Sequence, residues 1–118
     1  MSLTINAKTY TANSFGSTAI GYTGANNTVS VKDIVRLLCV APKPTATFSG
    51  VGKTSAKMTR THTLTGALTP TWDAILDVQV TVPVGTASAD VDALLNDMGA
   101  FVASATFKTH VKSQQISF

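Results

Sequence analysis

Apolar and polar positions alternate with a period of two along most of this chain, and the breaks in that alternation mark its turns and its helix. Leu3 to Tyr10 alternates, which predicts an edge strand or a hairpin arm. Thr11 to Thr28 is rich in Gly, Ser, Asn and Thr and reads as a hairpin turn and a long loop around a short strand near Ala19–Tyr22. Val29 to Ala41 fits either a strand or a short helix, because Ile34–Ala41 is apolar on both sides of any template, and Pro42 and Pro44 close it. Lys53 to Thr65 predicts a long Thr-rich strand, and Gly66 to Pro70 a loop. The clearest strand runs from Trp72 to Val84. Trp72, Ala74, Leu76, Val78, Val80, Val82 and Val84 share one face, opposite Asp73, Ile75, Asp77, Gln79, Thr81 and Pro83.

The period then changes. Val91, Leu94, Leu95, Met98, Phe101 and Val102 recur at helical spacing, with Ser88 in the N-cap position and Asp90 and Asp92 in the first turn. This predicts one helix over about 89–103. Beyond it Phe107, Thr109 and Val111 alternate with Lys108, His110 and Lys112, so the tail 105–118 reads as extended.

Composition supports the strands. The 118 residues are 44% hydrophobic and only 13% charged, which is globular. Thr occurs nineteen times and Val is frequent, both suited to half-buried strands, and every acidic residue is Asp. The single cysteine, Cys39, has no intrachain partner and reads as a buried, inert thiol. The first residues lack a signal-peptide profile and no apolar run is long enough for a membrane span, so a soluble protein of a reducing cytoplasm, without a membrane partner, is expected.

Geometry then bears on function. A helix of 15 residues is about 22 Å long and about 10 Å wide, whereas five strands span about 20–25 Å. One helix cannot cover the apolar face of Trp72–Val84, and an obligate dimer in which a second copy supplies its own helix is the expected solution. The opposite face carries Asp77, Gln79 and Thr81. In simple register the neighbouring strand adds Ser55, Lys57, Thr59, Thr61 and Thr63; a slip of one residue replaces Lys57, Thr59 and Thr61 with Met58, Arg60 and His62. Such a surface suits a polar ligand, and it equally suits a merely solvated sheet face.

Few motifs carry chemistry. Gly50-Val-Gly-Lys-Thr-Ser55 resembles the end of a phosphate-binding loop, but Thr47 stands where the first Gly is needed and no helix pattern follows. His62 and His110 have no Cys or acid at a ligand spacing, so no metal and no cofactor are expected. No nucleophile elbow is present, and no enzymatic activity is expected. Six of the nine basic residues, Lys32, Arg36, Lys43, Lys53, Lys57 and Arg60, lie between positions 32 and 60. That concentration suits phosphate neutralisation, or alternatively the protection of strand edges.

The run Trp72 to Gly85, with its Val-Thr-Val-Pro ending, followed by an amphipathic helix containing Leu94-Leu95, resembles the coat proteins of single-stranded RNA bacteriophages, the leviviruses. The resemblance implies an α+β fold in one domain, 1–118. It comprises an N-terminal hairpin and loop (1–28), a main sheet (29–86) with a five-stranded antiparallel sheet beside the hairpin, and a helix (87–104); the tail 105–118, extended by its alternation, departs from some members of the family. It further implies an interlocked homodimer that assembles into an icosahedral capsid, packages single-stranded genomic RNA on the inner face, and has a maturation protein among its partners. Virion localisation follows, with assembly in the bacterial cytoplasm.

The residues expected to meet RNA are Lys43, Lys53, Ser55, Lys57, Thr59, Arg60, Thr61, Asp77, Gln79 and Thr81. The helix residues Val91, Leu94, Leu95, Met98, Phe101 and Val102 are expected at the dimer interface, and the loop Gly66, Ala67, Leu68, Thr69, Pro70 and Thr71 at contacts between dimers. Translational repression through an operator hairpin is a further expectation of the family. Ile75, however, stands where well-known members hold a Tyr that stacks on a base, and Asp77 repels phosphate. The rival reading is an adhesion or pilus-like module of Thr/Val-rich strands without nucleic-acid binding.

Overall fold

A computed structural model describes residues 1–117, which form six strands and two helices. The strands are β1 (Ser2–Ile5), β2 (Lys8–Phe15), β3 (Ala19–Gly24), β4 (Asp33–Val40), β5 (Val51–Thr63) and β6 (Thr71–Pro83). They make one antiparallel sheet whose spatial order is their sequence order. The chain divides into two units, residues 1–84 with the sheet and residues 85–118 with the helices.

The expected N-terminal hairpin is β1–β2, joined to the rest through β2, so hairpin and sheet are continuous. Leu3 to Tyr10 is therefore two strands rather than one. Asn6 and Ala7 turn the chain with φ of 49° and 63°, the left-handed pair that a two-residue hairpin connection requires. Ala is a poor signal for that conformation, which is why alternation alone runs straight through it. The ambiguous run around Ile34 is strand β4; Thr28 and Val31 make the turn before it, with Thr28 N donating to Val31 O at 2.7 Å.

Burial concentrates on one side of the sheet. Tyr10, Tyr22 and Val35 form its core, with Leu3, Ile5, Ala12, Ile20, Leu37 and Met58 packed around them. Cross-strand partners share a face, so Tyr10, Gly24, Asp33, Arg60 and Ala74 form one row on this side. The buried polar atoms of the row pair with one another. Arg60 Nη2 donates to Tyr10 Oη at 2.7 Å and Arg60 Nε to Asp33 Oδ1 at 3.3 Å, as buried charge demands. The β6 end of the same face is open: Trp72, Leu76 and Val78 are 67%, 46% and 41% exposed. Cys39 is also exposed, contrary to the expected buried thiol, because it lies two cross-strand pairs beyond the last core position of β4, Val35 and Leu37 being packed and Cys39 not.

In the second unit α1 spans Ser88–Val102, and its N-cap is Ala87 rather than Ser88, which is already inside the helix. Asp90 does lie in the first turn, where a carboxylate complements the helix dipole. The extended tail is overturned. Ala105–Ser113 is a second helix, α2. Ser104 caps it, its Oγ accepting from Phe107 N at 3.2 Å, and Phe107 packs edge-on against Phe101 with ring centroids 5.3 Å apart. Phe107 and Val111 alternate, but they are also four apart, and Ser104 three residues before Phe107 decides for the helix. Gln114 ends α2 in the left-handed conformation; Phe118, the last residue of the expected tail, lies outside the described residues. No helix among the described residues is long and apolar enough to cross a membrane.

Candidate nucleic-acid interface

The opposite face of the sheet is set by three strands in unbroken register. From one end, its rows read Val40–Lys53–Thr81, Leu38–Ser55–Gln79, Arg36–Lys57–Asp77 and Ile34–Thr59–Ile75, followed by Thr61–Asp73. Lys53, Ser55, Lys57, Thr59, Thr61, Asp77, Gln79 and Thr81 thus share one surface in the simple register. Lys53, Lys57, Asp77, Gln79 and Thr81 are exposed, and Ser55, Thr59 and Thr61 half-buried.

Two of the expected site residues are placed differently, and a third is already engaged. Arg60 projects from the core side, where it is held by Tyr10 and Asp33. A Thr-rich strand has no apolar periodicity to fix which residues face inward, so only the pairing with β4 settles Arg60. Lys43 is exposed in the β4–β5 connection, outside the ladder. Thr61 is on the right face but committed: its hydroxyl donates to Asp73 Oδ1 at 2.7 Å and accepts from Lys32 N at 3.0 Å.

Arg36 is the residue that the expected site lacks. It is exposed and directly opposite Lys57. Its place in the run of basic residues was legible, but its face required the β4–β5 register.

The electrostatics follow from who is already paired. Among the described residues the ion pairs are Lys32–Asp73 at 3.2 Å and Arg60–Asp33 at 3.3 Å. Arg36, Lys53 and Lys57 take part in neither and present three positive charges on one surface. Asp77 sits beside Lys57, and Gln79 Nε2 donates to its Oδ2 at 3.4 Å. Asp73 is held below the ordinary carboxylate range by the Thr61 hydroxyl first and by Lys32 second. Ile75 is 59% exposed on this face, while the strand aromatics Tyr10, Phe15, Tyr22 and Trp72 all lie on the core side. Such a surface offers cations and hydroxyls to a polyanion, with aliphatic rather than aromatic platforms between them.

No protein-family model matches the sequence, and no curated protein matches it. Solved structures do match. The virus-like particle of Beihai levi-like virus 32 superposes with a TM-score of 0.82 at 16% identity, covering 96% of this chain and 91% of the other. That of bacteriophage AVE019 gives 0.76 at 16% identity, covering 100% and 96%. That of bacteriophage GQ-907 gives 0.77 at 12% identity, covering 93% and 84%.

The chain has the levivirus coat fold. Two C-terminal helices follow its antiparallel sheet. On this fold Val91, Leu94, Leu95, Met98, Phe101 and Val102 all lie on α1, which buries none of its residues within the single chain. Gly66–Pro70 is the β5–β6 connection, pinned by Leu64 N donating to Pro70 O at 2.8 Å. Leu68 at its tip is fully exposed. Thr71, expected in the loop, is already the first residue of β6, opposite Thr63.

Proposed function

We propose that this chain is the structural subunit of a virion: it dimerises, the dimers close into an icosahedral shell, and the face bearing Arg36, Lys53 and Lys57 lines the interior against single-stranded RNA. The observation that carries this reading is the levivirus coat fold combined with an apolar β6 face and an apolar α1 stripe that one chain leaves open. A dimer buries both. Exposed apolar patches of this kind mark association surfaces, and two-fold pairs are the commonest form of association.

Arg36, Lys53 and Lys57 neutralise phosphates, and Ser55, Thr59, Gln79 and Thr81 supply hydrogen bonds to phosphate, sugar or base edges. Ile75 and Asp77 at the centre of that face favour packaging of RNA over recognition of one operator hairpin, since neither stacks on a base nor attracts a phosphate. The role is architectural, with no catalytic step.

Expression of the chain alone, followed by electron microscopy and the ultraviolet absorbance ratio of the purified product, tests this. Closed isometric particles containing RNA are expected. A stable monomer at micromolar concentration overturns the reading.

A further inference from the structure

We propose that the sheet carries a second ligand site, a cavity on its core side that takes a small phosphomonoester between Lys8, Arg60 and His62. The site lies on the face opposite Arg36 and Lys57, and the inference stands whether or not that other face binds RNA.

The cavity has a volume of about 270 Å³ and lies where the start of β2, the β3–β4 connection and the end of β5 come together. Strand alternation decides which side chains face it. Lys8 stands two residues before Tyr10, and His62 two after Arg60, so both share the side of the Tyr10–Arg60 row. Asn26 and Val31 come from the connection, and Asp33 from the first position of β4. Lys32 also borders the cavity, but its ammonium is spent on Asp73, which belongs to the opposite face.

The lining is prepared for an anion. Arg60 is already held in place: its Nε donates to Asp33 and one N–H of its Nη2 to Tyr10. A guanidinium has five N–H donors, so three of them are left. The Arg60 side chain is 35% accessible against 11% for Asp33, which gives the cation the open side of the pair. Lys8 and His62 are exposed, and their side chains make no hydrogen bond or ion pair among the described residues. Asp33 is the acid of the lining, and Arg60 neutralises it. The charge of Lys8 is therefore unopposed, with a ring N–H of His62 as a further donor.

The number and direction of these donors favour a phosphoryl group. They reach inward from β2, from β5 and from the Asn26 amide, which suits three terminal oxygens better than the two of a carboxylate. Arg60 supplies a fixed planar fork, the geometry that matches phosphate. A single water needs about 10–15 Å³ of such space, so inorganic phosphate does not fill this cavity. Val31 gives the remainder an apolar wall and Asn26 a polar one, the mixture that holds a small hydroxylated group in place.

Isothermal titration calorimetry of the full chain at constant ionic strength tests this, with ribose 5-phosphate, inorganic phosphate and ribose as probes. Ribose 5-phosphate is expected to bind saturably, one per chain, and more tightly than inorganic phosphate, while ribose shows no heat of binding. Lys8→Ala and His62→Ala should each weaken ribose 5-phosphate by about tenfold, the loss of one hydrogen bond to a charged group. Lys108→Ala, on α2, should leave the affinity unchanged. Arg60 is not substituted, because the fold depends on it; Lys8 and His62 are unpaired, and unfolding curves of their variants should match the wild type. Inorganic phosphate binding as tightly as the ester overturns the phosphomonoester assignment. Unchanged affinity in both Lys8→Ala and His62→Ala, or an equal loss in Lys108→Ala, overturns the site itself.

Discussion

Arg60 donates to the hydroxyl of Tyr10 at 2.7 Å across fifty residues of sequence, and Gly24 is what lets the two reach each other. Tyr10 is opposite Gly24 on β3, and Asp33 is opposite Arg60 on β5. A Cβ at Gly24 would stand 2.8 Å from Asp33 Cγ and 2.9 Å from Tyr10 Cε1. The missing side chain is thus the gap in β3 across which the buried Tyr10 phenol and Asp33 carboxylate and the half-buried Arg60 guanidinium join β2, β4 and β5. Arg60 holds its proton more tightly than usual, chiefly through the Tyr10 hydrogen bond.

Gly24→Ala forces those groups apart in the best-packed part of the sheet and is expected to cost about 1–3 kcal/mol, the range of overpacking a close-packed site. Urea unfolding at fixed protein concentration measures this. An unchanged midpoint would show that the row does not depend on the gap.

The two faces of β5 separate the cations by role. Arg36→Ala and Lys57→Ala should each lower the slope of log K against log salt for single-stranded RNA by about 0.7, one phosphate contact apiece. Arg60→Ala should leave that slope unchanged and instead destabilise the fold, since Asp33 is then buried without its cation. With Arg60 partly exposed, about 2 kcal/mol is expected rather than the larger cost of a fully buried pair. Filter binding at several salt concentrations, together with unfolding curves, distinguishes the two. Equal slopes for all three variants and the wild type would remove the Arg36–Lys57 surface from RNA binding.

What the sequence made legible, and what it did not, divides along physical lines. β6 is read correctly because its alternation, from Trp72 to Val82 against Asp73 to Thr81, belongs to a strand with one apolar side. α1 is read because Val91, Leu94, Leu95 and Met98 allow no other period. These two carry the resemblance that implies the fold class. The side on which Arg60 and Arg36 lie is not legible, because Lys53 to Thr63 alternates polar with polar and only pairing breaks the tie. Asn6–Ala7 hides a turn behind a residue that rarely makes one. α2 hides behind an alternation, Phe107–Thr109–Val111, that helical spacing satisfies as well.

Asp73 predicts an acid-sensitive contribution at the sheet end. The Thr61 hydrogen bond, and Lys32 after it, lower its pKa in the folded chain. A carboxylate depressed on folding binds fewer protons folded than unfolded at mildly acid pH, so its stabilisation is present above the unfolded pKa. It is lost as pH falls through the folded value. Asp73→Asn and Thr61→Val should both flatten the acid limb of stability against pH, with little change in shape above neutrality. An acid limb as steep in Asp73→Asn as in the wild type would place the titration elsewhere.

Ala7 is held at φ 63° and Asn6 at φ 49°. Asn tolerates this region, whereas Ala there costs about 1–2 kcal/mol against right-handed conformations. Glycine removes that cost but loses more backbone entropy on folding, about 0.5–1 kcal/mol. Ala7→Gly creates the Asn-Gly pair that two-residue hairpins prefer, and a net gain of about 0.5–1 kcal/mol is expected from the difference of these terms. The gain should appear as a higher urea midpoint with an unchanged slope, since neither the native nor the unfolded surface alters. Ala7→Pro, which cannot adopt a positive φ, should lose the hairpin altogether. A lower midpoint for Ala7→Gly would mean that the β1–β2 turn does not adopt the left-handed pair in solution.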